Sequence, residues 1–198
     1  MGKYIGKHSV GESPPIDALQ KELKRERYKR RFRTGLRSTI NALIVVAAVA
    51  ALIATLILPV LQIAGNSMEP NLKNGDIVLL VKTKELETGD LCAFYYSNKI
   101  LIKRVIAKPG DYIWIEADGT VILNGEPLDE PYVTEKALGE CDIAFPYQVP
   151  ENNYFVMGDK RETSIDSRSS VIGCVAEDQI VGKIICKIWP LKEFKTFG

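Results

Sequence analysis

The chain has 198 residues, 46% of them apolar and 26% charged, with a formal net charge of +1. That is ordinary globular composition, enough for one compact domain with something added, and it excludes a chain dominated by disorder. The near-neutral total hides two opposed parts: Met1 to Arg37 carries 11 Lys or Arg against 4 Asp or Glu, a net of +7, and Gln62 to Gly198 carries 15 against 21, a net of −6.

Residues 1–37 read as a basic cytoplasmic tail with a loop at Pro14–Pro15. Ile16 to Arg33 suits either a helix lying against anionic lipid or a solvated tail. Its basic cluster is accounted for by the apolar segment that follows, so no nucleic acid is expected as a partner.

Between Arg37 and Glu69 no residue is charged, and the core of that gap, Ile40 to Val60, is 21 almost wholly aliphatic residues. As a helix it is about 30 Å long, the thickness of bilayer hydrocarbon. We assign residues 38–61 to a transmembrane anchor helix in contact with membrane lipid. A cleaved signal peptide is the rival, but its basic region is usually short and here 37 residues precede the apolar run. Basic residues before the span and Glu69 after it place the N-terminus in the cytoplasm of a single-pass cell-membrane protein and export residues 62–198.

Beyond the span come short strand-like runs. They are Asp76 to Val81, Leu91 to Tyr96, Lys99 to Ile106, Tyr112 to Glu116, Val121 to Leu123, Asn153 to Met157, Val171 to Val175 and Gly182 to Trp189. Turns at Asp118–Gly119 and Asn124–Gly125 separate two of them, and crossover helices do not fit the spacing. The expected class is mainly β, an antiparallel sheet domain preceded by one transmembrane helix. Four cysteines (Cys92, Cys141, Cys174, Cys186) lie in this exported part, none in a zinc-type pair. A disulfide is permitted there. Burial as small apolar residues fits Cys92, Cys174 and Cys186 at least as well, and Cys141, between two acids, is expected to be the most exposed.

The single histidine, His8, lies in the tail, so the exported domain has no imidazole. Ser–His–Asp, Cys–His and histidine-built zinc chemistry are excluded there. Lysine can serve as a base if it is made neutral, and burial in apolar surroundings favours the neutral amine. Lys103 fits: strand alternation sets it on one face with Leu101 and Val105, and Arg104 on the other, toward solvent or a carboxylate. A surface lysine guarding an edge strand is the bland alternative. Ser67 follows small residues in a Gly/Asn/Pro segment whose backbone N–H groups suit an oxyanion, although such a serine is commonly only a turn residue. A third cluster, Gly158 to Arg168, packs six charges and three hydroxyls into eleven residues. In it Asp166 and Arg168 can pair and Ser164 can bond an amine. A solvated loop would have the same composition.

Taken together, these segments resemble the motifs of bacterial type I signal peptidases of the single-span Gram-positive type, which are serine–lysine proteases. The nucleophile motif corresponds to Gly65-Asn66-Ser67-Met68-Glu69-Pro70, followed by Gly75-Asp76-Ile77-Val78. The lysine motif corresponds to Lys103-Arg104-Val105 with Pro109-Gly110-Asp111. The long C-terminal motif corresponds to Gly158-Asp159 through Ser164, Asp166, Ser167 and Arg168. The likeness covers roughly residues 25–192, and its specificity lies in the four motifs occurring in order. It implies the fold of that family, with Ser67 as nucleophile and Lys103 as general base. Ser164 would hold the Lys103 amine, Asp166 with Arg168 would brace the loop together with Asp159, and Met68 would pack at the substrate groove. Gly65 would stand where some members carry a hydroxyl that assists the oxyanion. The implied partners are the signal peptides of secreted preproteins, cut after small residues, typically alanine, at the first and third positions before the bond, near the secretion machinery. No cofactor and no metal is called for. Two positions depart from the pattern: Lys160 stands where asparagine is usual, expected to pair with Asp159 or Glu162, and Asn71 stands where threonine is usual.

Overall fold

A computed structural model describes residues 16–57 and 59–197, so the expected Pro14–Pro15 loop and the single histidine lie outside the described residues. Two compact units divide the chain between Ile53 and Ala54. Most of the first is a continuous helix, α1 (Ile16–Ile57), whose last residues belong to the second. It has no proline and one glycine, and its Lys, Arg, Glu, Leu and Ala are strong helix formers. The segment Ile16 to Arg33 is therefore helix, continuous with the apolar run. Within α1, Gly35–Leu52 is long and apolar enough to cross a membrane, and every side chain in that stretch is exposed. A helical stretch that is apolar and exposed all round is suited to lipid, which supports a single-pass membrane protein.

The first strand of the second unit is β1 (Val60–Gln62). Val60 and Leu61, counted with the span on hydropathy, are thus strand and not helix. Pro59 cannot continue a helix, and an aliphatic run alone does not mark the change. The further strands are β2 (Ile77–Val81), β3 (Leu91–Tyr96), β4 (Lys99–Ala107), β5 (Tyr112–Ile115), β6 (Val121–Leu123), β7 (Glu126–Pro127), β8 (Tyr147–Gln148), β9 (Asn153–Met157), β10 (Val175–Ala176), β11 (Ile180–Trp189) and β12 (Lys195–Thr196). Among the described residues they make two antiparallel sheets. The larger runs β1-β2-β11-β3-β4-β9-β10 with β12 also on β11, and the smaller runs β7-β6-β5-β8.

Side-chain alternation builds three cores from these strands. Leu91 and Ala93 of β3 join Ile63, Met68, Leu72, Val78, Leu80 and Ile184 on one face. Cys92 and Phe94 join Val105, Tyr154 and Val156 on the other. The alternate residues of β9, Phe155 and Met157, pack with Ile106, Ile113 and Val121 under the small sheet. Strand β4 is consequently buried on both faces from Lys103 onward.

The strand expected at Val171 to Val175 is reduced to Val175–Ala176. Before it the chain turns, with Ile172 and Gly173 N–H groups donating to Ser169 O at 3.1 and 2.8 Å. All four cysteines are free, Cys92 and Cys186 buried and Cys141 and Cys174 half-buried. Cys141 is less exposed than its acidic neighbours suggest, because Asp142 is tied down: its N–H donates to Arg168 O at 3.1 Å and its carboxylate accepts from Ser170 Oγ at 2.7 Å. Burial pushes the Cys92 thiol up to about 12, far from the thiolate range. Thiol titration at pH 8 should therefore find four thiols in denatured, unreduced protein, with Cys92 silent in the native state. Fewer than four on denaturation would reveal a disulfide.

Candidate active site

Ser67 lies half-buried in the turn that follows β1. Backbone bonds fix the base of that turn: Ile63 N–H donates to Asp76 O at 2.8 Å, and Gly75 N–H returns to Ile63 O at 2.9 Å. Gly65 holds φ +101°, a backbone conformation that favours glycine, and its N–H donates to Asn74 Oδ1 at 3.2 Å. Met68 is buried in the first core, so the residue after the serine anchors the turn to the sheet.

Lys103 stands opposite Cys92 in the β3–β4 ladder and Leu101 opposite Phe94. Its face is therefore that of the second core, which holds Val105. The side chain is only 4% exposed, and Nζ donates to Ser164 Oγ at 2.8 Å. Burial pushes the amine below its ordinary value; Asp166 opposes that, Arg168 reinforces it, and Asp159 opposes it more weakly. Arg104, expected toward solvent or a carboxylate, is buried on the opposite face. It forms a bidentate pair with Asp159 (Nε–Oδ1 2.8 Å, Nη2–Oδ2 2.6 Å) and lies 3.9 Å over the Tyr132 ring.

The loop from Gly158 to Arg168 closes the site. A side chain on Gly158 would have its Cβ 2.2 Å from Ser164 Oγ and 2.7 Å from Ser67 O, so only glycine lets these two approach. Lys160 N–H donates to Ser67 O at 3.0 Å. The Lys160 ammonium pairs with Glu69 at 3.1 Å, not with the acids beside it in sequence, because the turn bearing Glu69 is its spatial neighbour. Asp166 and Arg168 form a fully buried bidentate pair (2.8 and 2.9 Å). Asp166 Oδ2 also accepts from Gly158 N–H at 2.9 Å. The remaining Arg168 donors reach Leu138 O at 2.6 Å, Ala137 O at 3.2 Å, Arg161 O at 2.9 Å and Ser164 O at 3.3 Å. Most of the loop's charged and hydroxyl side chains are thus buried and bonded, not solvated, while Glu162, Thr163 and Ile165 stay exposed.

Leu61–Gly65, Ser67, Met68 and Ile100–Lys103 line one cavity of about 100 Å³. Ser67, Met68, Gly65 and Lys103 therefore meet there, with Ser164 against the amine and Asp166, Arg168 and Asp159 packed behind. Among the described residues no group of three or more His, Cys, Asp or Glu could hold a metal ion.

Two supports escaped the reading of the sequence. Glu130, 31 positions from Arg161, forms a buried bidentate pair with it, including a bond at 3.1 Å from Nη1. Arg161 Nε in turn donates to Gly158 O at 3.2 Å. Tyr132 donates to Glu130 at 3.1 Å, and burial first, then Glu130, pushes its phenol well above the ordinary range. Asn71 Nδ2 donates to both Asp159 Oδ2 and Tyr132 O at 2.9 Å. An isolated acid and a departure from a familiar pattern carry little signal in one sequence; only the packing gives them partners.

Comparison with known proteins points one way. The family model described as "Signal peptidase, peptidase S26" matches residues 36–189. Signal peptidase IB of Staphylococcus aureus is 38% identical over 154 residues, covering 67% of this chain and 78% of that protein. Signal peptidase I T of Bacillus subtilis is 35% identical over 146 residues, covering 67% and 75%. A crystal structure of a signal peptidase I from Enterococcus faecalis aligns with a TM-score of 0.41 at 28% identity, over 50% of this chain and 96% of that one.

The Arg161–Glu130 pair generates a test of the scaffold. Glu130→Ala leaves a guanidinium buried without its counter-charge and should lower unfolding stability by about 3–5 kcal/mol, read by urea denaturation. A loss below 1 kcal/mol would mean that the pair contributes little to holding the loop.

Proposed function

The chain belongs to the signal peptidase family, peptidase S26, and on that premise we propose that it removes signal peptides from secreted preproteins by a Ser67 nucleophile and a neutral Lys103 base. That it is a membrane-anchored hydrolase follows from the family and the span; the roles of individual residues are our own reading. The observation that carries it is Lys103, a residue 4% exposed, in the same cavity as Ser67, with its amine bonded to Ser164 at 2.8 Å.

An ordinary lysine, with a pKa near 10.4, is neutral in about one molecule in a thousand at pH 7.4. Burial raises that fraction. Neutral Lys103 takes the proton of Ser67 Oγ as the oxygen attacks the scissile carbonyl carbon, and the oxyanion is stabilised by the Ser67 N–H. The ammonium then protonates the departing amine as the C–N bond breaks, freeing the mature N-terminus and leaving the leader acylated on Ser67. Lys103 next takes a proton from water, whose oxygen attacks the acyl carbon and restores the serine hydroxyl. Ser164 orients the amine, and Asp166, Arg168 and Asp159 hold the loop that carries it.

The walls of the cavity suit an extended peptide. Among the described residues, strand β4 pairs with β9 only from Arg104 on and β1 pairs only with β2, so each presents an edge to which substrate backbone can add. The volume of about 100 Å³ is far below the roughly 300–1,000 Å³ of sites that enclose a whole small molecule. It suits small side chains such as alanine at the first and third positions before the cut. We assign residues 1–37 to the cytoplasm, 38–57 to the anchor and the β-rich domain to the outer face, near the secretion machinery.

The experiment is leader-peptide cleavage followed against pH. Activity should rise with pH, along a limb lying below the ordinary lysine value, as Lys103 loses its proton. Ser67→Ala and Lys103→Ala should abolish cleavage. Lys103→Arg should be equally dead, because arginine cannot deprotonate; near-normal turnover by that variant would end the proposal. On intact cells, added protease should reach the domain beyond Gln62 and spare the tail. Digestion of the tail instead would reverse the assigned topology.

The same burial bears on stability. While Lys103 stays protonated in the fold it costs free energy. Stability should rise with pH between its depressed folded value and the ordinary one, where the unfolded chain holds the extra proton. Lys103→Met should therefore be more stable than the parent at neutral pH, with the gap closing as pH rises. A gap that widens with pH would contradict the depressed value.

A further inference from the structure

The last strand reaches back to the serine turn. Beyond a short 3-10 turn at Leu191–Glu193, β12 pairs with β11 through Cys186–Thr196 and Lys187–Lys195. From this segment Lys195 Nζ donates to Asn71 Oδ1 at 3.0 Å. Glu193 lies 3.6 Å from Lys73 and 2.9 Å from Lys187, and Lys187 lies 3.2 Å from Asp76. Phe197 packs against the core that contains Met68 and Leu72. Contacts from Lys195, Glu193 and Phe197 thus converge on the stretch from Met68 to Asp76.

The Lys195 contact has a chemical direction. An ammonium only donates, so it can meet only the carbonyl oxygen of the Asn71 amide. That orientation turns the amide nitrogen toward Asp159 Oδ2 and Tyr132 O, each an acceptor at 2.9 Å. Asp159 is locked to Arg104, the neighbour of Lys103, by two bonds. The residue after Asp159, Lys160, holds the Ser67 carbonyl at 3.0 Å. Asn71 is thereby one side chain through which the serine turn is tied to the strand of the base, and Lys195 holds the oxygen end of the amide whose nitrogen end is held by Asp159 and Tyr132.

We propose that Lys195 is a positioning residue for peptide hydrolysis. Acting through Asn71, it sets the spacing between the Ser67 turn and the Lys103 strand. The proposal rests on the Ser67–Lys103 reading above and goes beyond it by giving the last strand a part in the reaction. Lys195 touches none of the reacting atoms, so its removal should act on the chemical step and not on leader binding. It is exposed, so its removal should also leave the fold intact.

The test uses the full chain in detergent micelles with a leader peptide as substrate. Lys195→Met keeps the stem and removes the charge. It should lower kcat about tenfold with KM within about twofold and Tm within about 2 °C. Lys195→Arg, which still donates, should restore most of kcat. Asn71→Ala should lower kcat at least as far, and Lys195→Met on that background should add nothing, because the two act as one unit. A Lys195→Met enzyme at parental kcat would overturn the proposal. So would losses that multiply in the double variant, or a fall in kcat matched by a fall in Tm. Ser67→Ala and Lys103→Ala run alongside separate the two ideas. If either cleaves normally, the catalytic assignment itself fails. If both are dead while Lys195→Met is normal, only the role of Lys195 fails.

Discussion

A lysine amine with 4% of its side chain exposed has almost no water to stabilise its proton, and the architecture of the second unit is arranged around that deficit. A buried ammonium has two ways out: it can lose its proton or acquire a counter-charge. Two carboxylates are near enough to act on Lys103, and each is already engaged by an arginine. Asp166 is held by Arg168 and Asp159 by Arg104. The influence of Asp166 on the amine is opposed by that of Arg168, which leaves burial as the leading cause. Pairing the acids with arginine therefore does more than tie a loop: it keeps the carboxylates from turning the amine into half of a salt bridge.

The fold supplies this arrangement through strand alternation. Strand β4 is buried on both faces from Lys103 onward, so successive residues deliver a lysine to one core and an arginine to the other. The arginine then anchors Asp159, and the chain leaving Asp159 carries the amide that holds Ser67. Buried ion pairs of this kind are poor sources of net stability, because desolvation offsets much of their attraction. Their value here is geometric. A bidentate guanidinium accepts one orientation of its partner, and three such pairs fix the loop from Gly158 to Arg168 against the serine turn. Gly158 sets the limit of that approach, since a Cβ would collide with Ser164 and with the Ser67 carbonyl.

Much of this was legible in the sequence where a single period or a charge boundary carried the information. The apolar run, the long strands and the face shared by Leu101, Lys103 and Val105 all follow from local pattern. What local pattern could not give was the partner across space. For Arg104, alternation left solvent or a carboxylate open, because it describes two faces without saying that both are covered; the carboxylate is that of Asp159. Lys160 looked paired with its chain neighbours because the turn bearing Glu69 lies 91 residues away. Glu130 gave no signal and Asn71 stood out only as a departure from the pattern, since nothing in their own segments shows what a fold will bring against them. The short strands β1, β7, β8 and β12, of two or three residues, lie below the length at which a period of two can be read, and Val60 and Leu61 were absorbed into the hydropathy of the span.

With Lys103 as the base we propose, activity and stability pull against each other there. Burial that favours the neutral amine is also a standing cost whenever the proton is present, and such strain is held only where surrounding structure overdetermines the geometry. Ser164, the Gly158 approach and the paired acids are that surrounding structure. The most direct measurement is titration of the Lys103 amine itself, by nitrogen-detected NMR of the labelled side chain in a Ser67→Ala variant of the full chain. The account predicts a midpoint clearly below the ordinary lysine value of about 10.4, moving further down when Asp166 is replaced by asparagine and Arg168 is left unopposed. A Lys103 that titrates at the ordinary value, and does not respond to Asp166, would contradict it.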